Sequence, residues 1–293
     1  MITRRTFLQQ SSILAGALMM DKSELFKAHK DLGLQLYTVR NEIKDLKNTL
    51  HQIAAAGYTN IEMYGYSKRE FFGNSVKQMA GLLKENNLKT ISGHYGLTDF
   101  LYDKEYNWDS WKYLLEDATT MQHKYVTIPW VEETHRTEDS FKLIAERLNK
   151  GGELSKAAGL TTAYHNHDFE FNKTADGKTF YEILLDNTDP KLVKFEMDLY
   201  WVENAGQTPK DWFTKYPGRF AMWHIKDMEA STAGAPKGQT CEVGKGVIDW
   251  KTIFKDKALA GLDYAFVEQE QYRRPVFDCI KTSADYMKKN LLK

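Results

Sequence analysis

Residues 161–171, TTAYHNHDFEF, place His165 and His167 two positions apart in a short apolar run and follow them with acidic residues. Imidazole nitrogens bind transition metals and transfer protons near neutral pH, whereas a lone buried histidine is more often a hydrogen-bonded core residue. Three later apolar runs, FEMDLYW, WHIKD and FVEQE, also carry histidine, lysine or acidic side chains. The chain therefore offers side chains suited to metal binding or proton transfer in four separate segments.

Alternation along a β-strand sorts these side chains, because residues two apart share a face. The pairs that share a face are His165 with His167, Glu196 with Asp198, His224 with Lys226, and Glu268 with Glu270. From one ligand-type side chain on each of four neighbouring strands we predict a single divalent metal, held by His165, Asp198, His224 and Glu268. Nitrogen and oxygen donors favour Mn, Co, Zn or Fe, while Mg, which prefers oxygen donors, stays a candidate. The alternative is a metal-free polar pocket in which these histidines pair with the carboxylates.

The elements that must position these residues alternate from residue 31 onward between β-type runs and amphipathic helical patterns. The β-type runs cover 32–39, 59–66, 89–96, 124–131, 161–171, 192–201, 220–228 and 262–270. The clearest helical patterns cover 43–56, 69–86, 108–121, 138–158 and 276–291. Eight β-then-α units match an α/β (β/α)8 TIM barrel, whose usual size is about 250 residues and whose active site lies at the C-terminal strand ends. A doubly wound open sheet is the competing fold, but no glycine-rich phosphate fingerprint follows the first strand.

The composition fits a globular protein that handles a small polar ligand. Forty basic and forty acidic residues give a formal net charge of zero, which disfavours nucleic acid as a partner. Two cysteines are too few for a disulfide framework or a cysteine-rich zinc site.

Residues 1–26 differ in kind from the rest of the chain. Paired Arg4 and Arg5 precede a small, apolar stretch in TRRTFLQQSSILAGALMM, which resembles a twin-arginine export signal. An amphipathic first helix is the alternative. The apolar stretch is shorter than the roughly 20 residues that span a bilayer. We therefore expect a periplasmic or exported protein with no membrane-spanning segment in the mature chain, and a single TIM-barrel domain over residues 27–293.

Seven segments together resemble the sugar isomerase and epimerase group of xylose isomerase-like barrels, in particular its exported members. They are LGLQLYTVR, GYTNIEMYG, AYHNHDFEF, FEMDLYWVENAG, HIKD, VGKGVIDWKTIF and FVEQE. The resemblance implies one metal held by Glu, Asp, His and Glu at the ends of strands five to eight, and it places Asp198, His224 and Glu268 at the last three positions. His165 stands where these relatives have the first Glu, which argues against an epimerisation that uses two glutamates. Trp201 stands where many of them have a second histidine.

The residues and the resemblance together predict a metal-dependent sugar isomerase or epimerase that acts next to a carbonyl of a non-phosphorylated saccharide through an enediolate. The catalytic candidates are Glu268, His167, Lys226 and His94. The substrate-binding candidates are Glu62, Tyr37, Trp130 and Trp201. Lys226 and Glu62 have an alternative role as a structural salt bridge. Of the aromatic candidates for sugar stacking, two or three are expected to line the pocket: Tyr37, Tyr64, Tyr95, Trp130 and Trp201.

Two other functions compete with this prediction. The resemblance to exported relatives implies lyase-type cleavage of 3-keto-glycosides by metal-assisted elimination, which needs one base and one acid. The missing glutamate also allows a non-catalytic periplasmic barrel that only binds sugar. An endonuclease barrel would need more histidine and acidic ligands and a basic groove, which the neutral charge argues against. The sequence leaves the sugar, the native metal and the oligomeric state open.

Overall fold

In the computed structural model of the chain, which describes residues 31–96, 101–102, 105–230 and 238–292, eight parallel strands form one sheet. Their bounds are β1 Gly33–Gln35, β2 Asn60–Met63, β3 Lys89–Gly93, β4 Tyr125–Ile128, β5 Thr161–His165, β6 Val193–Asp198, β7 Met222–Ile225 and β8 Tyr264–Val267. The strands lie side by side in chain order, and β1 also pairs with β8. A parallel bridge between His94 and Thr127 joins the end of β3 to β4. The predicted (β/α)8 TIM barrel is confirmed.

Helices follow the strands and cover the outside of the barrel. Their bounds are α1 Leu46–Ala56, α2 Val76–Glu85, α3 Asp109–Thr120, α4 Glu138–Ala157, α5 Phe180–Asn187, α6 Leu199–Asn204, α7 Pro209–Lys215, α8 Trp250–Ile253, α9 Lys257–Ala260 and α10 Val276–Asn290. In α1 the buried side chains include Leu50 and Ile53, and Gly57 ends the helix with a left-handed φ of 98°. The helices after β6 and β7 are short, as the irregular patterns there predict.

The segment between β2 and α2 corrects the prediction of one helix over 69–86. Residues 66–75 form three short antiparallel strands, and the helix begins only at Val76. The turns between these strands use the positive φ values of Lys68, Arg69 and Gly73. Ser75 then starts α2 through a capping box with Gln78. Turn and cap residues, which helical periodicity does not detect, therefore decide where this helix starts.

The interior of the barrel is apolar near the N-terminal strand ends and polar near the C-terminal ends. Ala163, Met222 and Phe266 belong to one buried apolar cluster inside the ring. The residues two positions later are His165 on β5, His224 on β7 and Glu268 just after β8. Alternation therefore places the apolar cluster directly below the polar groups. Gly33 lets strands pack closely here, because a Cβ atom on it would lie 2.3 Å from the Phe266 ring.

The predicted export signal at residues 1–26 lies outside the described residues, so the cellular location stays a prediction. Within the described ranges, none of the helices combines the length and the apolar character that a membrane crossing requires.

Candidate metal centre and substrate pocket

The four side chains predicted as metal ligands meet at the C-terminal end of the barrel. The Asp198 Oδ2 atom, at the end of β6, lies 3.9 Å from His165 Nε2 and 3.9 Å from His224 Nδ1. The same His224 nitrogen lies 2.9 Å from Glu268 Oε2, just after β8. All four side chains are buried. Parallel neighbouring strands end at one level, which is why the same-face side chains of β5 to β8 come together.

Backbone contacts aim the Asp198 carboxylate into this cluster. Its Oδ1 atom accepts a hydrogen bond from the Trp201 N–H group at 3.2 Å and caps α6. The Asp198 N–H group donates to Asn166 Oδ1 at 3.1 Å, and the same oxygen accepts from the Tyr181 hydroxyl of α5 at 3.3 Å. Asn166 therefore points outward toward the helices, as strand alternation predicts, and Oδ2 of Asp198 faces the other ligands.

Two further carboxylates, Glu62 of β2 and Glu196 of β6, lie deeper in the barrel. His224 Nε2 lies 2.6 Å from Glu62 Oε2, and His165 Nδ1 lies 3.1 Å from Glu196 Oε2. His94 Nε2 lies 2.7 Å from Glu196 Oε2 and 3.3 Å from Glu62 Oε2. The two predicted histidine ligands thus each contact a carboxylate with one nitrogen and the ligand cluster with the other. This arrangement fixes the ring orientation of metal-binding histidines.

The protonation states of these groups follow from burial and from the neighbouring charges. Burial lowers the pKa of His165, and the nearby His224 lowers it further, so the His165 ring is neutral and has a free lone pair. Burial opposes the charged form of His224, but Glu196 and Glu62 raise its pKa well above the usual value. Burial and the Glu62 charge raise the pKa of Glu196, whereas His94 and His224 lower the pKa of Glu62 despite its burial. The Glu62 carboxylate is therefore the charged partner that holds His224.

All four predicted ligands fit a divalent cation by donor type, and three of them also fit by position. The raised pKa of His224 means that its ring would release a proton on binding a metal. Two imidazole nitrogens and two carboxylate oxygens suit Zn and other first-row metals. The ligand atoms of Asp198, His224 and Glu268 all lie within 4.8 Å of one another. A second set at the same separation overlaps with it and consists of His94, His165, Glu196 and His224. Of these two sets, the one formed by Asp198, His224 and Glu268 includes a carboxylate that lines the pocket, Glu268. A metal held by that set would therefore be within reach of a substrate in the pocket.

A lysine ammonium already lies between the two carboxylate ligands. Lys226 Nζ is 3.1 Å from Asp198 Oδ2, 2.9 Å from Glu268 Oε2 and 2.7 Å from Glu270 Oε1. Burial opposes the charged form, but these three carboxylates raise the pKa of Lys226 well above its usual value. The alternative salt bridge between Lys226 and Glu62 is therefore wrong, because Glu62 faces the histidines instead.

A pocket of about 360 Å³ opens above the ligand cluster. Its lining includes these predicted site residues: Tyr37, His94, Trp130, His165, His167, Trp201, Lys226 and Glu268. Glu62, predicted to bind substrate, does not line this pocket; it is fully buried below His224, so that assignment is corrected. Tyr64 also lines the pocket, whereas Tyr95 is buried with its hydroxyl on His123. Four of the five aromatic candidates thus reach the pocket, more than expected.

The turn after β5 places His167 in the pocket wall. Its ring lies 4.8 Å from the Trp130 ring and 5.6 Å from the Trp201 ring. The Glu170 carboxylate fixes this turn by accepting hydrogen bonds from the His167 N–H group at 2.8 Å and the Tyr164 hydroxyl at 2.7 Å. Burial lowers the pKa of His167 to about 3, so the ring is neutral. The His167 Nδ1 and Trp201 Nε1 atoms are buried in this wall, and neither has a hydrogen-bond partner among the described residues.

The glycine-containing segment VGKGV after β7 serves the fold of this face. Asp227 Oδ2 accepts hydrogen bonds from the N–H groups of Gly244 at 2.8 Å and Gly246 at 3.2 Å. A Cβ atom at Gly246 would lie 2.2 Å from Asp227 Oδ1, so only glycine fits. Backbone amides that could hold a phosphate are thus bonded to a carboxylate of the protein.

Sequence reasoning assigned no role to three residues that shape the site. Glu196 shares a strand face with Asp198, and that parity was the signal for a second, deeper carboxylate. Gln35 donates to Glu62 Oε2 at 2.7 Å, a contact between β1 and β2 that no local pattern indicates. The burial of Glu170, which raises its pKa to about 8, becomes visible only in the fold.

Comparison with known proteins gives one family and several relatives. The family model of the xylose isomerase-like TIM barrel matches residues 50–290. An inosose dehydratase of Clostridium perfringens is 31% identical over 149 residues, which are 46% of this chain and 48% of that protein. This chain therefore spans about half the length of the curated relatives it matches.

Solved structures match over most of the chain. A sugar phosphate isomerase/epimerase from Parabacteroides distasonis is 30% identical, with a TM-score of 0.77, over 90% of this chain and 99% of that one. An IolI protein with a bound zinc atom is 18% identical, with a TM-score of 0.69, over 89% of this chain and 98% of that one, and it shares the fold.

Proposed function

Since the chain belongs to the xylose isomerase-like TIM barrel family, we propose that it is a divalent-metal-dependent enzyme that removes a proton next to a carbonyl group of a non-phosphorylated saccharide and eliminates a substituent from the adjacent carbon. The observation that carries this proposal is that the Lys226 ammonium and the Glu268 carboxylate line the same pocket, 2.9 Å apart in the protein without metal. Elimination needs one general acid and one general base, and this pair supplies both.

The metal would be held by His165, Asp198, His224 and Glu268, whose donors converge at the pocket floor. A divalent ion there supplies Lewis-acid stabilisation of the negative charge that develops on the carbonyl oxygen when the neighbouring C–H bond loses its proton. The deeper Glu62 and Glu196 carboxylates hold the two histidine rings in place.

Proton transfer falls to the groups that line the pocket. Burial opposes ionisation of Glu268, but Lys226 and His224 lower its pKa well below the usual value, so it is ionised, which is the state a general base requires; the same contacts weaken it as a base until Lys226 moves away. The Lys226 ammonium can donate one to the leaving group. His167, which is neutral and lines the pocket, can contact a substrate hydroxyl.

Epimerisation needs a base on each face of the reacting carbon. The His165 ring, which stands where the relatives have a glutamate, is not free to act as the second base. One nitrogen of that ring contacts Glu196, and the other faces Asp198. Isomerisation, which moves a proton between neighbouring carbons, is the second candidate. The name of the Parabacteroides distasonis structure favours isomerisation, whereas the inosose dehydratase name of the curated relatives favours elimination.

The pocket walls support a neutral sugar as substrate. Tyr37 and Trp130 are 41% and 42% exposed at the pocket, and apolar sugar faces pack against such rings. Residues 1–26, with Arg4 and Arg5, support an exported protein, in whose surroundings non-phosphorylated saccharides are the expected substrates.

Solvent deuterium exchange followed by NMR tests the proposal. The Zn²⁺- or Mn²⁺-loaded protein is mixed with keto-sugars and with 3-keto-glycosides in deuterated buffer. We expect deuterium at the carbon next to the carbonyl together with release of the substituent from 3-keto-glycosides. The Asp198→Ala variant, which loses a ligand, should lack both signals while remaining folded. Exchange without release would favour isomerisation. Binding without exchange on any of these compounds would identify a sugar-binding protein and refute the enzymatic function.

A further inference from the structure

Lys226 contacts the same carboxylate oxygens that the metal would use. Its Nζ atom lies 3.1 Å from Asp198 Oδ2 and 2.9 Å from Glu268 Oε2. Those two oxygens also face the His224 ring, at 3.9 Å and 2.9 Å from Nδ1. The Lys226 side chain is only 2% exposed, so water does not screen its charge. A divalent ion bound to these oxygens would lie close to the ammonium, and the two positive charges would repel each other.

A third carboxylate offers this ammonium another position. Glu270 Oε1 lies 2.7 Å from Lys226 Nζ, and Glu270 is not among the predicted ligands. Its backbone N–H group donates to Thr240 Oγ1 at 2.9 Å, so its position does not depend on the metal. The rings of Tyr200 and Trp201 lie 5.5 and 5.4 Å from Nζ and add a cation–π environment on the same side.

We propose that Lys226 competes with the divalent metal for Asp198 and Glu268, and that metal loading shifts the ammonium onto Glu270. This inference rests on the metal site of the proposed function. Lys226 and Glu270 both line the pocket, so the shifted ammonium stays beside the substrate. The lysine is thus released from the metal ligands to act as the acid only in the metal-loaded protein. Without metal, it neutralises two buried carboxylates that would otherwise repel each other.

Zn²⁺ affinity, measured by chelator competition on metal-free full-length protein, tests the competition. We expect Lys226→Met to tighten Zn²⁺ binding at least about tenfold, because the competing charge is gone. The matched control is Lys194→Met, since Lys194 is a half-buried lysine on β6 whose ammonium donates to the Gly218 carbonyl at 2.8 Å. That variant should bind Zn²⁺ like the wild type. Unchanged or weaker binding by Lys226→Met would overturn the proposal, and so would the lack of Zn²⁺ binding by every variant.

Glu270→Gln separates the shift from simple removal of charge. Glu270 is 28% exposed, so the variant should fold even where Lys226→Met does not. It should weaken Zn²⁺ binding several-fold in the wild-type background, because the displaced ammonium loses its new partner. In the Lys226→Met background it should have little effect. An equal effect in both backgrounds would refute the shift. If the effect of Glu270→Gln on Zn²⁺ binding depends on Lys226 but no deuterium exchange occurs, only the proposed reaction is rejected. If deuterium exchange occurs but the effect does not depend on Lys226, only the proposed role of Lys226 is rejected.

Discussion

Glu62 provides the most direct test of how the deep carboxylates support the proposed metal site. Its Oε2 atom accepts a hydrogen bond from Gln35 Nε2 at 2.7 Å and lies 2.6 Å from His224 Nε2, and the side chain is fully buried. Hydrogen bonds to charged groups contribute about 1.5 to 3 kcal/mol. Loss of an outer carboxylate on a metal-binding histidine typically costs about 10- to 100-fold in metal affinity. We therefore expect Glu62→Gln to weaken Zn²⁺ binding about 10- to 100-fold, or about 1.4 to 2.7 kcal/mol.

The fold should survive this change, because glutamine has the same shape and the substitution removes a charge that faces Glu196. The Glu62 charge raises the pKa of Glu196, and the Glu196 side chain in turn lowers the pKa of Glu62. Because His94 and His224 lower the pKa of Glu62 to about 2 despite its burial, the folded protein stabilises the ionised carboxylate, and the unfolding temperature of the variant should fall. Isothermal titration with Zn²⁺ measures the affinity, circular dichroism measures the fold, and Glu70→Gln, an exposed carboxylate variant, is the control. A folded Glu62→Gln variant with wild-type Zn²⁺ affinity would show that Glu62 does not orient the His224 ring.

Three further predictions concern stability and location. Burial raises the pKa of Glu170 from 4.5 to about 8, so the folded state keeps a proton that the unfolded chain releases. The free energy of unfolding should therefore fall as pH rises between these values, by at most about 5 kcal/mol. Urea titrations of the Glu170→Gln variant should lack this dependence on pH. Gly33→Ala places a Cβ atom 2.3 Å from a neighbouring phenylalanine ring and should lower the free energy of unfolding by about 1 to 3 kcal/mol; an unchanged urea midpoint would contradict the close packing of β1 and β8. Replacing Arg4 and Arg5 together by lysine should keep the protein in the cytoplasm, and normal export of that variant in cell fractionation would reject the signal assignment.

The barrel and the general position of the site could be predicted from local sequence alone. Strand and helix periods are properties of contiguous residues, so eight β-then-α units are visible without a structure. Alternation then fixes which residues of one strand face inward, which brings His165, Asp198, His224 and Glu268 to one end of the barrel. The helix over 69–86 was partly wrong because turns and caps depend on single residues.

The sequence by itself determined which side chains are suited to metal binding or proton transfer, and at which end of the barrel they meet. Only the tertiary structure decided how they pair. Glu62 was predicted to touch substrate and instead contacts His224 from below. Lys226 lies between the predicted metal ligands Asp198 and Glu268 instead of beside Glu62. Glu62 and His224 are 162 positions apart in the chain, and Lys226 is 28 positions from Asp198. Strand register and packing across the barrel interior therefore set these contacts. Periodicity assigns a side chain to a face, but the distances across that face depend on every strand of the closed ring.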